Sequence, residues 1–219
     1  METSQKPLLR GWSHAVGAVF ALAGAVLLIV LSRQQPAKVV TMVIYGTSLV
    51  LLLGVSAVYH IGTWRPRARA VLRGLDHANI FLFIAASYTA IAYNALTGYW
   101  RVGILVSVWL LAVVGMATLT GAITLPRWAV AGLYVGLGWI GVVVIPQVSG
   151  TLGLPALLLV LLGGLLYSTG ALAYAFQRPR LWPRTFGYHE VFHLLVLGAS
   201  ASFFVVMALY VIPYRQAGG

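Results

Sequence analysis

Seven long apolar runs, separated by short polar or basic links, set the pattern of this chain. They cover about 13–31, 39–61, 75–96, 102–123, 128–145, 156–176 and 186–212. Each is near the roughly 20 residues that cross a bilayer as a helix. The runs are continuously apolar, whereas the strands of a membrane barrel would alternate over about ten residues, so helices are expected. The links carry the breaks: a polar link at 32–38, a basic loop with Arg65, Arg67, Arg69 and Arg73, a turn at Gly98 and Arg101, and a break at Pro126 and Arg127. An uncharged Gly/Pro turn at 146–155 and a second basic loop with Arg178, Arg180 and Arg184 complete the set. Small residues four apart, Gly17/Ala21 and Gly132/Gly136, read as helix-packing positions.

Composition sharpens the class. Of 219 residues, 61% are hydrophobic and 8% are charged, which excludes an ordinary soluble domain. The fold predicted is all-α: one polytopic membrane domain, 1–219, of seven transmembrane helices. The first apolar run continues as a full span and lacks a small-residue cleavage pattern, so no signal peptide is expected. The absence of Cys excludes disulfides, thiolate metal sites and cysteine nucleophiles.

The net charge of +11 comes from arginines and lysines between the apolar runs, with no basic stretch interleaved with exposed aromatics. Membrane lipids, not nucleic acid, are the partners this implies, and nothing singles out a protein partner or an oligomeric state. With the N-terminus inside, ten basic residues (Lys6, Arg10, Arg65, Arg67, Arg69, Arg73, Arg127, Arg178, Arg180, Arg184) face four outside (Arg33, Lys38, Arg101, Arg215). The bias predicts a cytoplasmic N-terminus and an external C-terminus. An integral membrane protein is the localisation expected.

Threading places all five histidines, and both acids beyond the tail, at one end of the spans. His14 opens the first, His60 closes the second, Asp76 and His77 open the third, and His189, Glu190 and His193 open the seventh. Ionisable groups at membrane depth are costly and face the bundle interior, so one shared polar site in the cytoplasmic leaflet is expected. His189 and His193 lie one helical turn apart and can reach one ion. His60 can supply a third nitrogen. Three neutral imidazoles and an open position suit catalytic zinc, which acidifies a bound water and polarises carbonyls. Asp76 is placed to supply the counter-charge or accept a proton, and Ser56, one turn before His60, to hydrogen-bond the same water or a substrate carbonyl. Plainer roles stand beside these: His14 as a helix-to-helix hydrogen-bonding group, His77, which faces about 100° from Asp76, as a structural or accessory group, Ser56 bonded to its own helix, and Tyr59, Tyr88 and the tryptophans as packing and interface anchors.

His189-Glu190-Val191-Phe192-His193 also matches the H-E-x-x-H pattern in which Glu is the general base of zinc proteases. Here it starts a membrane helix and no soluble substrate cleft accompanies it. Glu190 is read more readily as an accessory or interfacial carboxylate.

Four stretches carry a family resemblance: 56–60 (SAVYH), 75–80 (LDHANI), 87–89 (SYT) and 186–193 (FGYHEVFH). Together, in this order and at these span positions, they resemble the bacterial hemolysin III family, within the progestin and adiponectin receptor superfamily and more distantly akin to alkaline ceramidases. The resemblance implies seven helices in a bacterial inner membrane, a cytoplasmic N-terminus and zinc held by His60, His189 and His193 near the cytoplasmic leaflet. It also implies Ser56 and Asp76 as polar partners, Asp76 contacting the zinc-bound water. Family members commonly carry Glu and Asn eight and four residues before the first-span histidine; here Lys6 and Arg10 stand there, while His14 is retained.

Two functions remain open from sequence: a zinc-dependent hydrolase of a lipid amide or ester acting in membrane lipid homeostasis, and a non-enzymatic membrane sensor or regulator with a structural zinc. A cytolytic pore is the weaker third, because no span carries a polar stripe along its whole length.

Overall fold

In the computed structural model, which describes residues 9–120, 125–179, 181–182 and 185–215, the chain is helical. The elements are α1 (Trp12–Ser32), α2 (Pro36–Ile61), α3 (Pro66–Ala95), α4 (Gly98–Thr120), α5 (Arg127–Trp139), α6 (Ile145–Leu152), α7 (Leu154–Phe176) and α8 (Tyr188–Val206). A 3-10 segment, Ile140–Val144, joins α5 to α6, and a π-helical turn, Met207–Val211, extends α8. These make seven spans long and apolar enough to cross a membrane, the fifth formed by Arg127–Leu152 and the seventh by Tyr188–Val211. The protein is an integral membrane protein. Consecutive helices pack against one another, and α8 returns to close against α1 and α7.

The third span is the most buried and the least apolar of the seven. The two properties belong together: a helix surrounded by other helices needs no lipid-compatible surface and can carry Asn79, Ser87 and Asn94. Asn79 donates to the Leu51 carbonyl on α2 at 3.2 Å, and Asn94 to Thr41 Oγ1 on the same helix at 2.9 Å. Around α3 the core is built from Leu28, Met42, Tyr45, Phe81, Phe83 and Val108, all buried.

Several boundaries differ from the hydropathy reading, each for a physical reason. The basic stretch expected as a loop is helical from Pro66, so Arg67, Arg69 and Arg73 stand on the first turns of α3. Hydropathy marks where a helix leaves apolar surroundings, not where its hydrogen bonds end, and proline is well accommodated in a first turn. The same holds at Pro36, which starts α2 earlier than expected, and at Pro146, which sits in the first turn of α6. The turn expected over 146–155 is therefore mostly helix, and the chain turns at Gly153, whose φ of 83° suits glycine. What interrupts the fifth span is the 3-10 segment. Tyr88 of α3 repairs it: its hydroxyl donates to the Gly138 carbonyl at 2.6 Å and accepts from the Gly141 N–H at 2.6 Å.

Packing by small residues holds at Gly17, where a Cβ would collide with Leu197 of α8. It does not hold at Gly132 and Gly136, which are exposed and meet nothing within 4 Å. Spacing on a helix identifies a shared face but not whether another helix covers it. Lys38, counted as an outer-side charge, is buried: its ammonium donates to the carbonyls of Ile212, at 2.8 Å, and Tyr214. It closes the end of the seventh span, where carbonyls lack intrahelical partners. Lys6, Arg180 and Arg184 of the charge count, and 121–123 of the expected fourth span, lie outside the described residues.

Candidate metal centre

The last turn of α2 and the first turns of α8 end beside one another, and their histidines converge. His60, His189 and His193 place one ligand nitrogen each within 4.8 Å of the others. Their ring centroids form a near-equilateral triangle, 4.6 Å for His60–His189, 5.1 Å for His60–His193 and 4.6 Å for His189–His193. His189 Nε2 lies 3.1 Å from His60 Nε2. Two imidazole lone pairs facing each other repel unless a proton or a cation lies between them. Nitrogens bound at about 2.0–2.1 Å to one tetrahedral zinc would stand about 3.4 Å apart, close to what is found here. His193 Nδ1 is buried with no partner in the protein. An unmatched buried polar nitrogen costs about 1–3 kcal/mol, so the cluster as it stands wants a further ligand. The donor set, three imidazoles without thiolate, fits a transition metal.

His14 lies flat on His193, with ring centroids 3.8 Å apart and an interplanar angle of 12°. It braces that imidazole from α1. Both of its own nitrogens are buried without protein partners. Asp76 reaches the cluster from α3, its Oδ2 3.6 Å from His60 Nε2. That exceeds hydrogen-bond length but is short enough to share a small bridging group. Ser56 is buried one turn before His60 and lines the same cavity.

His77 also lines this cavity but is engaged away from the histidine cluster, as its position next to Asp76 predicts. Its Nδ1 is 3.1 Å from the Tyr134 hydroxyl, which donates back to the His77 carbonyl at 3.2 Å. This pair ties α3 to α5. Glu190 has both oxygens engaged. Oε2 accepts the Gly187 N–H at 2.8 Å, capping α8, and Oε1 accepts Arg10 Nε at 3.0 Å. A glutamate three residues into a helix is well placed to reach back to the cap residue's amide. The H-E-x-x-H pattern here thus encodes two converging histidines and a helix cap. Arg10, read from sequence as an inner-side charge and a departure from the family pattern, is the counter-charge of that cap; the scarcity of acids in the chain was the signal that any basic residue facing Glu190 would matter.

The cluster opens into a polar cavity of about 650 Å³. Its walls include Tyr59, Tyr174 and Tyr188, of which Tyr59 was read from sequence as an anchor and the others were not singled out. Tyr59 packs on His60 with centroids 4.6 Å apart. A second, apolar cavity of about 170 Å³ continues into the bundle. The two share the walls Leu52, Ile80, Tyr134, Ala171, Phe192 and Val196. A polar chamber thus adjoins an apolar one, the shape of a site for an amphiphile.

Comparison with known proteins agrees with this architecture. The family model described as Haemolysin-III related matches residues 2–204. Hemolysin-3 of Bacillus cereus is 30% identical over 203 residues, covering 92% of this chain and 90% of its own. The Hemolysin-3 homolog of Bacillus subtilis (strain 168) is 26% identical over 212 residues, 96% of each chain. The monocyte to macrophage differentiation factor of Homo sapiens is 29% identical over 214 residues, 94% of this chain and 83% of its own. That last similarity extends the relationship to the progestin and adiponectin receptor superfamily.

Proposed function

The chain belongs to the haemolysin-III-related family, and from that premise we propose that it holds zinc on His60, His189 and His193 and hydrolyses an amide or ester of a membrane lipid, in the service of lipid homeostasis. The observation that carries this reading is the convergence of three imidazoles beside a carboxylate, at the junction of a polar and an apolar cavity. Zinc bound there supplies an acidified water and a polarised carbonyl. The chain's own groups do the rest. The apolar cavity receives an acyl chain and excludes water from it. Ser56 orients the carbonyl. Asp76 Oδ2 takes the proton that the attacking water gives up, and water adds across the acyl bond to yield a carboxylic acid and an alcohol or amine. The site sits in the cytoplasmic leaflet of a bacterial inner membrane, with the N-terminus inside.

Two measurements test it. Elemental analysis of purified protein should find about one zinc per chain, and none in His189→Ala/His193→Ala; equal metal in the two removes the central claim. Liposome assays should show lipid turnover that Asp76→Ala lowers about a hundredfold or more while its zinc content is kept. Turnover equal to that of Asp76→Ala removes the hydrolase.

A second reading has its own support. The ligands come from α2 and α8, which share little backbone contact, so a metal would join helices that otherwise hardly touch. In a non-enzymatic sensor or regulator the zinc would serve as that clasp. Chelation would then lower thermal stability with no turnover to lose.

A further inference from the structure

We propose that the mouth of the histidine cavity is an oxyanion site, formed by Arg69, Arg73 and Arg127, that selects amphiphiles whose phosphate head group is net anionic. This names the lipid class for the reading above and rests on that reading for its link to catalysis, though not for the binding itself.

The charges lining the cavity are four arginines, Arg10, Arg69, Arg73 and Arg127, and one carboxylate, Asp76. Arg10 is matched by Glu190, and Asp76 faces His60. Among the described residues no carboxylate stands within ion-pair distance of the other three arginines. Of the described residues only Asp76 and Glu190 are acidic, and both are engaged elsewhere.

The rim is also built. Arg69 Cζ lies 5.8 Å from the ring centre of Tyr59, and Arg127 Cζ lies 5.7 Å from that of Tyr174. Arg127 Nη1 donates to the Tyr188 hydroxyl at 3.0 Å. Stacked guanidiniums keep N–H groups free for an oxyanion, which they bind in forked pairs. Arginines kept only for topology would need no such partners. Arg65 and Arg67, in the same basic stretch, do not line the cavity.

Helix geometry orders the groups by depth. Arg69, Arg73, Asp76 and Ile80 lie on one face of α3 and all line the cavity. At 1.5 Å per residue, Arg73 stands about 5 Å and Arg69 about 10 Å toward the mouth from Asp76. Ile80, deeper, also lines the apolar cavity. The sequence inward is cation, then carboxylate with histidines, then apolar chamber. Phosphate, ester linkage and acyl chain follow one another in the same order in a glycerophospholipid.

The test uses full-length protein in nonionic detergent, titrated by calorimetry with dioctanoyl-phosphatidylglycerol, dioctanoyl-phosphatidylcholine and inorganic phosphate. The phosphatidylglycerol should bind about tenfold more tightly than the phosphatidylcholine. Arg69→Gln/Arg73→Gln/Arg127→Gln should abolish that preference, weakening phosphatidylglycerol binding far more than phosphatidylcholine binding, and leave the zinc content as it was. Arg65→Gln/Arg67→Gln/Arg178→Gln, with the same loss of charge outside the cavity, should keep it. Inorganic phosphate that binds alone and is lost in the cavity variant supports the oxyanion site and assigns it to a free anion if phosphatidylglycerol fails to bind. Equal affinity for the two lipids with no phosphate binding, or equal losses in the two variants, overturns the proposal. Selective binding without turnover would instead count against hydrolysis and leave the arginine rim standing.

Discussion

Glu190 and Arg10, 180 positions apart in sequence, meet at 3.0 Å and tie the entry of α1 to the first turn of α8. The carboxylate is almost fully buried, and its other oxygen holds the amide of Gly187. It therefore works as a cap and a counter-charge, on a residue that the motif alone would cast as a base.

Glu190→Ala should accordingly cost about 2–4 kcal/mol, because it strands a part-buried guanidinium and an orphan helix N–H together. Glu190→Gln, which keeps an acceptor for Gly187, should cost about half as much. Both should retain bound metal and, if lipid is turned over, most of the rate. Thermal melts in detergent and elemental analysis decide; loss of turnover with stability intact would restore the base role to Glu190.

His14 supports the centre through its flat ring on His193. His14→Phe preserves an aromatic face there and should keep the metal. His14→Ala opens a gap beside His193 and should weaken metal affinity about tenfold or more, the scale of groups that orient ligands. A competition titration against a chelator measures both. Equal, complete loss in the two variants would make His14 a ligand.

The Tyr88 hydroxyl serves two backbone groups at the 3-10 interruption of the fifth span. Tyr88→Phe leaves both without their partner in an apolar setting and should destabilise by about 1–3 kcal/mol. Zinc content should not change, since Tyr88 lies outside the polar cavity. A melt combined with metal analysis checks this.

Lys38 closes the far end of the bundle on the carbonyls of Ile212 and Tyr214. Lys38→Met keeps much of the stem's packing and removes the donors. Amide exchange should accelerate over the π-helical turn Met207–Val211 while α8's first turns stay protected, and a destabilisation of about 1–2 kcal/mol should accompany it. Lys38→Arg should restore part of the protection.

Much of the fold was legible because hydropathy reports directly on contact with lipid. Seven runs became seven spans, and their helical nature followed from length and unbroken apolarity together. The histidine pair of α8 was legible too, since a spacing of four fixes a shared face whatever surrounds it. Helix starts at Pro36 and Pro66 were missed, because backbone hydrogen bonding continues past the apolar boundary. Gly132 and Gly136 were misread because spacing carries no information on which helix, if any, lies opposite.

The sequence by itself determined the membrane class, the segregation of the histidines and of Asp76 and Glu190 to one end of the spans and the residue types available for a metal, since each is a property of local composition. Only the tertiary structure decided which groups face one another. It set His60 against His189, gave Glu190 to Arg10 and Gly187 instead of to the centre, and left three arginines around a cavity with no carboxylate among the described residues to match them. The reason is that a helix presents every residue on some face, and the choice among faces is made by neighbours distant in sequence. His189 to His193 therefore carries its meaning from α2 and α3 as much as from its own spacing.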